Sequence, residues 1–229
     1  MFKKIIYINL DRRPDRNQQI IDEINKIQFD GPIERISGVD GNKISIDIMK
    51  ENFTENAINE ANNNIKGEAG VRMTLGAMGL SLTYKQIFTQ ILNDKYEYTL
   101  ILEDDAKFVD NFLEKINDLI NNIPEYDILY PGYHNGYGED EGNYAIVEKV
   151  WGTFSFIVNK KAAAEILKLF PLDTQFDTEI HRTFENLRVF ATLYDQKLVW
   201  TPNDDTDIQT NLENGLEGFI NTSLDFSFI

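Results

Sequence analysis

Cysteine is absent from the 229-residue chain, which excludes disulfides, a thiol nucleophile and a cysteine-built zinc site. Histidine is nearly absent. His134 and His181 are the only two, and each reads as a surface or helix residue rather than a metal ligand. No apolar run approaches the roughly 20 residues of a membrane-spanning helix, and the opening IIYINL is shorter than a signal-peptide core and runs straight into DRRPDR. The expectation is a soluble protein of a reducing, cytoplasmic compartment.

Positive charge is scarce as well: 22 Lys and Arg stand against 38 Asp and Glu, for a net charge of -16. Nucleic acid and anionic membranes attract basic surfaces, so neither is an expected partner. The few cations are concentrated. Lys3, Lys4, Arg12, Arg13 and Arg16 cluster at the N-terminus, with only Asp11 and Asp15 among them. An anionic small molecule would find its positive charge there and would need a metal ion elsewhere.

The 42% hydrophobic content is enough for one α/β core, and a single domain over residues 1–229 is expected. KKIIYINL is short, apolar and β-branched and predicts a buried opening strand. Pro14 and Asp15 then begin a helix in which Ile20, Ile21, Ile24 and Ile27 recur at helical spacing. IERISGVDG predicts a second strand and turn, and Leu75, Met78, Leu82, Ile87, Ile91 and Leu92 mark a long helix leading into YEYTLILEDD. A helix over residues 112–120, the strands YDILYPG, AIVEKV and TFSFIVN, the helix KKAAAEILKLF capped by Asn159, and a late strand QKLVWTP follow. Residues 51–66 read as a surface helix or loop, 132–142 as a glycine-rich loop or lid, HRTFENLRVFATL as a helix, and 209–229 as a C-terminal tail. Strands alternating with helices imply a mainly parallel sheet.

Chemistry concentrates in LILEDDAKF, where Glu103, Asp104 and Asp105 follow an apolar strand. On an extended strand Glu103 and Asp105 share one side, roughly 6.6 Å apart, while Asp104 faces the other. At an effective dielectric of about 20 their repulsion is about 2.5 kcal/mol, so solvent, hydrogen bonds or a cation must offset it. A solvated turn is the plain reading. Ligands in parallel α/β sheets, however, bind outside the carboxyl ends of strands, and carboxylates suit Mg2+ or Mn2+ held together with phosphates. A nucleotide-sugar transferase, a phosphatase or a nucleotidyltransferase would each use such a site.

Several segments in order, YINLDRRPDR, ISGVDG, LILEDDAKF, YDILYPG, WGTFSFIVNKKAAAEIL and LVWTPNDDTDI, together resemble glycosyltransferase family 25, the lipooligosaccharide and procollagen β-galactosyltransferases. The resemblance spans roughly residues 4 to 208. It implies an α/β, GT-A-like (Rossmann-like) domain with a mainly parallel central sheet flanked by helices, a UDP-hexose donor, Mn2+ (or Mg2+), and a hydroxyl acceptor on a glycan or on hydroxylysine.

Carried over residue by residue, the resemblance makes Asp105 and Glu103 metal ligands, completed by Asp204 and Asp207 late in the chain. It places Asn9, Arg12, Arg16, Asp40, Asp104 and Tyr84 against the nucleotide sugar. Asp177 resembles a family Asp and becomes the expected general base of an inverting displacement, with Glu103 beside it; the N-cap of the following helix is its structural alternative. Arg12 and Arg16 have an alternative too, as simple ion-pair partners of Asp11 and Asp15. One departure stands out: the family's Gly-Cys-x-x-Ser-His reads here Gly79, Leu80, Ser81, Leu82, Thr83, Tyr84. A hexosyltransferase is the principal expectation. A catalytically degenerate sugar-binding member of the family and a metal-dependent phosphotransfer enzyme are the alternatives.

Overall fold

The computed structural model describes residues 1–63 and 73–202. Its centre is laid down by strands buried on both faces. Lys4–Asn9 (β1) and Tyr98–Glu103 (β3) run side by side in parallel, and Ile33–Ser37 (β2) pairs in parallel on the outer side of β1. Alternate residues of β1 and β3 face opposite layers: Ile6, Ile8 and Ile101 enter one core, and Ile5, Tyr7, Leu100 and Leu102 enter the other.

Helices cover both faces. Pro14–Lys26 (α1), which begins on its proline, and Phe112–Asn122 (α5) seal one core through Ile20, Ile24, Phe112 and Ile116. The opposite core takes Ile46–Asn52 (α2), Glu55–Asn63 (α3), Leu75–Asn93 (α4), Lys160–Leu167 (α6) and Phe176–Glu179 (α7). Thr74 caps α4 by accepting from Ala77 N–H, and Asn159 caps α6 by accepting from Ala162 N–H.

The remaining strands are Lys107–Phe108 (β4), Ile128–Gly132 (β5), Asn135–Asp140 (β6), Ala145–Trp151 (β7), Ser155–Asn159 (β8), Val189–Ala191 (β9) and Val199–Trp200 (β10). Eight strands form one sheet in the order β2-β1-β3-β8-β5-β9-β7-β6, while β4 and β10 pair separately. Following the parallel and antiparallel pairings across it, β2, β1, β3, β5, β9 and β6 point one way and only β8 and β7 run against them.

Two local expectations are corrected, and the surface helix or loop over residues 51–66 is a helix where it is described. The glycine-rich stretch 132–142 is not a loop throughout. Most of it is β6, paired antiparallel with β7, and Gly138 is small because a Cβ there would lie 1.9 Å from the Ile146 carbonyl oxygen. HRTFENLRVFATL is not a helix: a 3-10 turn over Ile180–Asn186 gives way to β9, a strand too short to display a period of its own. Residues 51–63 form the end of α2 and all of α3, anchored by buried Phe53 and Ala57 and by Glu60, which accepts from Met73 N–H at 3.2 Å; residues 64–66 lie outside the described residues.

One buried carboxylate ties three strands at the end of the sheet away from the site. Asp127, with no exposed side-chain surface, accepts from Asn159 Nδ2 at 2.9 Å, Lys161 Nζ at 3.0 Å, and both the backbone N–H (2.9 Å) and the guanidinium (3.0 Å) of Arg188. Burial works to raise its pKa, but these donors outweigh it and hold the carboxyl well below the usual range. An acid with a depressed folded pKa contributes stability that is present above its unfolded pKa of about 4 and is lost as pH falls further. Asp127→Ala is expected to cost about 3 kcal/mol at neutral pH, with the deficit shrinking below about pH 4; urea unfolding midpoints at the two pH values check both.

Candidate functional site

The parallel register of β1, β2 and β3 brings their carboxyl ends together, opposing Ile8 to Glu103 and Asn9 to Ser37. A cleft at this edge is lined by Asn9, Arg12, Arg16 and Asp40 on one side and by Glu103, Asp104 and Asp105 on the other. It adjoins an open groove of about 810 Å3 between the β2 turn and α4, sharing Arg12 and Asp40 with it.

The strand ends at Glu103, and Ala106 N–H bonds back to its carbonyl, so Asp104 and Asp105 stand in a turn rather than alternating along a strand. Asp104 is buried and accepts from Asn9 Nδ2 at 2.7 Å and Arg16 Nη1 at 3.1 Å. Burial raises its pKa, and these two donors oppose the rise without cancelling it. The same Arg16 nitrogen lies 3.8 Å from Asp105. The ion pairs therefore differ from the local ones considered from sequence: Asp15 pairs with Arg13, Asp11 with Arg35, and Arg16 crosses to the acidic turn. Arg12 is 4.0 Å from Asp40. Asp40 begins a 3-10 turn by accepting from Asn42 N–H; burial pushes its pKa up, but that bond and Lys43 hold it below normal.

Deeper in, the site becomes drier. Tyr84 is fully buried, and its hydroxyl lies 2.9 Å from both a Glu103 carboxylate oxygen and the Thr153 carbonyl. One phenol proton can serve only one acceptor, so a proton on Glu103 donated to the Tyr84 oxygen satisfies both contacts. Consistent with this, burial first, and then the charge of Asp105, push Glu103 up to about 8 despite the Tyr84 bond. Tyr84 is thus a support for Glu103 and has no exposed surface for a nucleotide, which corrects its expected role.

Asp177 sits on α7; burial raises its pKa, and the backbone amides of Gly152 and Thr178 oppose the rise without cancelling it. It does not cap the helix, since Gln175 holds the N-cap position. Buried and without hydrogen-bond partners among the described residues are Asp177 Oδ1, Asp105 Oδ1, Tyr130 Oη and Ser155 Oγ.

Asp105 and Glu103 offer the hard oxygen donors that Mg2+ or Mn2+ prefers, and the orphaned Asp105 Oδ1 fits such an ion. Among the described residues no group of three or more His, Asp or Glu side chains is arranged around a common metal position. Asp204 and Asp207 lie outside the described residues. A divalent ion at phosphotransfer sites commonly takes one or two carboxylates and completes its shell with phosphate oxygens and water.

Several residues hold the site in ways that the sequence did not assign to them. Thr83, at the family's Ser position, donates to Gly79 O at 2.8 Å and accepts from Val39 N–H at 2.9 Å, holding the β2 turn onto α4. Gly79 allows that contact, since a Cβ would lie 2.2 Å from the Val39 carbonyl oxygen; at Gly41 a Cβ would lie 1.8 Å from the Leu75 carbonyl oxygen. Gly152 and Thr153, whose backbones act on Asp177 and Tyr84, fall in the WGTFSF segment, where the resemblance gave them no role of their own.

Comparison with known proteins converges on one family. The family described as glycosyltransferase family 25 (LPS biosynthesis protein) matches residues 2–137. A glycosyltransferase 25 family member of Aedes aegypti is 25% identical over 74% of this chain and 28% of its own length. Procollagen galactosyltransferase 2 of Homo sapiens is 26% identical over 57% of this chain and 21% of its own. A protein of Bos taurus named probable inactive glycosyltransferase 25 family member 3 is 21% identical over 75% of this chain and 29% of its own. The chain thus spans less than a third of the length of these curated relatives.

The raised Glu103 has a consequence for stability. The unfolded chain releases that proton near pH 4.5, while the folded protein keeps it until about pH 8. Between those values the unfolded state binds fewer protons, so stability falls as pH rises. Glu103→Gln should flatten this decline, measured as the difference in urea midpoint between pH 5 and pH 8.

Proposed function

Because the chain belongs to glycosyltransferase family 25, we propose that it transfers a hexose, galactose or glucose, from a UDP-sugar to a hydroxyl of a glycan or protein acceptor, with inversion at the anomeric carbon. The observation that carries this reading is the meeting of two unlike environments at the ends of β1 and β3. Arg12, Arg16 and Asn9 line a polar cleft beside Asp105, and Asp177, whose charge acts on Glu103 from α7, has one buried carboxylate oxygen unpartnered among the described residues.

In this reading the uridine diphosphate lies along the cleft, with Asp40 toward the nucleoside and Arg12 and Arg16 toward the phosphates. Asp105 and Glu103 would hold Mn2+ or Mg2+, which when bound supplies neutralisation of the charge developing on the diphosphate leaving group. Asp177 Oδ1 takes the proton of the acceptor hydroxyl as its oxygen bonds to the anomeric carbon and the bond to the diphosphate breaks. Burial makes Asp177 a stronger base than an exposed carboxylate, and the Gly152 amide opposes that rise without cancelling it. Tyr84 and Thr153 keep Glu103 at the head of the pocket.

One observation favours a second reading, binding without transfer. Tyr84 replaces the family's His and is committed to Glu103 and Thr153, and a relative of similar coverage is named probable inactive.

Release of UDP from UDP-galactose and UDP-glucose, with Mn2+ and with and without sugar acceptors, separates the readings. Asp177→Asn is expected to slow transfer roughly a hundred- to ten-thousand-fold while leaving UDP binding intact. Asp105→Ala should abolish the dependence of donor binding on Mn2+. Donor binding with no UDP release in the wild type would establish the non-transferring reading, and release of phosphate or pyrophosphate would replace both with phosphotransfer.

A further inference from the structure

Beside Asp177 lies an aromatic surface that the transfer reading leaves without a task. Trp151 ends β7 and directly precedes Gly152, whose backbone amide acts on the Asp177 carboxylate. Its indole meets the His181 imidazole edge to face at 5.3 Å and lies 6.1 Å from the Tyr137 ring. His181 in turn meets Phe184 at 5.3 Å. All four side chains are half-buried, so each keeps a part open to solvent.

This placement is built rather than incidental. The β6–β7 pairing shifts register between Tyr137 and Gly138, leaving Glu148 as an extra residue on β7. Burial along β7 accordingly passes from Ala145 and Val147 to Val150, and Trp151 is kept out of the interior that an unbroken alternation would have given it. His181 is pinned by its Nε2 against the Val150 backbone. The turn that carries Asp177 and the strand that carries Trp151 are thereby fastened to each other.

We propose that the Tyr137–Trp151–His181 shelf is the acceptor subsite, and that it takes a neutral pyranoside whose apolar C–H face stacks on Trp151 and presents a hydroxyl to Asp177. The proposal rests on Asp177 as the base. Two features select a sugar ring over a hydroxylysine side chain. Adjoining half-buried aromatic faces suit a small amphipathic ligand with an apolar C–H face. Lys149 Nζ lies 5.8 Å from the Tyr137 ring centroid, so a second ammonium would meet like charge where a neutral ring would not.

The test uses the full chain carrying Trp200→Phe, which removes the exposed second tryptophan and leaves Trp151 as the sole indole reporter. Methyl glycosides of galactose, glucose and mannose, and free hydroxylysine, are titrated in the presence of UDP and Mn2+ while indole emission and saturation-transfer NMR are recorded. A saturable response to at least one methyl pyranoside and none to hydroxylysine is expected, with ring C–H protons receiving the transfer. In Trp151→Ala the NMR-detected affinity should fall roughly tenfold or more, and Trp151→Phe should restore most of it. No saturable response to any of the glycosides at high millimolar concentration, the same affinity in Trp151→Ala, or a preference for hydroxylysine overturns the proposal. UDP release to water needs no acceptor and reports separately on the transferase reading. Its persistence with no pyranoside binding removes the subsite alone, and its absence with pyranoside binding intact removes transfer alone.

Discussion

Three consecutive carboxylates leaving one buried strand are tolerable only because each is sent to a different environment. Asp104 is turned back against Asn9 and Arg16, Glu103 goes inward against Tyr84, and Asp105 remains at the cleft with one oxygen unpartnered. The turn after β3 is what separates them, and all three lie within reach of α1 or α4. Strands, helices and cleft are tied at this point: the Asn9–Asp104–Arg16 contact joins β1 and α1 to the end of β3, and the Tyr84–Glu103 contact joins α4 to the same residue run. Loss of Asp104 would leave a buried guanidinium and amide facing each other, so the acidic turn organises the site as well as lining it.

Much of the architecture was legible in the chain. KKIIYINL, YTLILE and SFIVN are apolar, β-branched and short, and they form the three adjacent core strands β1, β3 and β8. Pro14 and Asn159 announced helix starts because their preferences are local, fixed by a missing N–H in one case and a side-chain acceptor in the other. The errors share a physical cause. Glycines at 136, 138 and 142 suggested a loop, but Gly138 is small to let two strands approach, a reason visible only once the partner strand is present. HRTFENLRVFATL suggested one helix because its first half does wind into a 3-10 turn, while β9 is three residues long and takes its identity from β5 and β7 on either side.

The site was legible to a similar depth. Asn9, Arg12, Arg16, Asp40 and the acidic run do line one cleft, because the turns after parallel strands sit side by side and sequence order preserves that. Which oxygen faces which donor could not be read, since it depends on a crossing from α1 to β3 over 88 residues of sequence. Tyr84 illustrates the difference. Its residue type suggested a hydroxyl offered to a ligand, while its position on the inner face of α4 commits it to Glu103 and Thr153.

The glycine contact between α4 and the β2 turn has a bearing on how this protein can vary. With Gly79 and Gly41 in place, backbone rests on backbone, and the separation of the two walls is a van der Waals distance rather than a side-chain dimension. The width of the cleft is then a constant of the scaffold. Discrimination between ligands must be written in what lines the walls, residues such as Arg12, Asp40 and Thr83, and a chain that altered either glycine would change its gauge before it changed its preference.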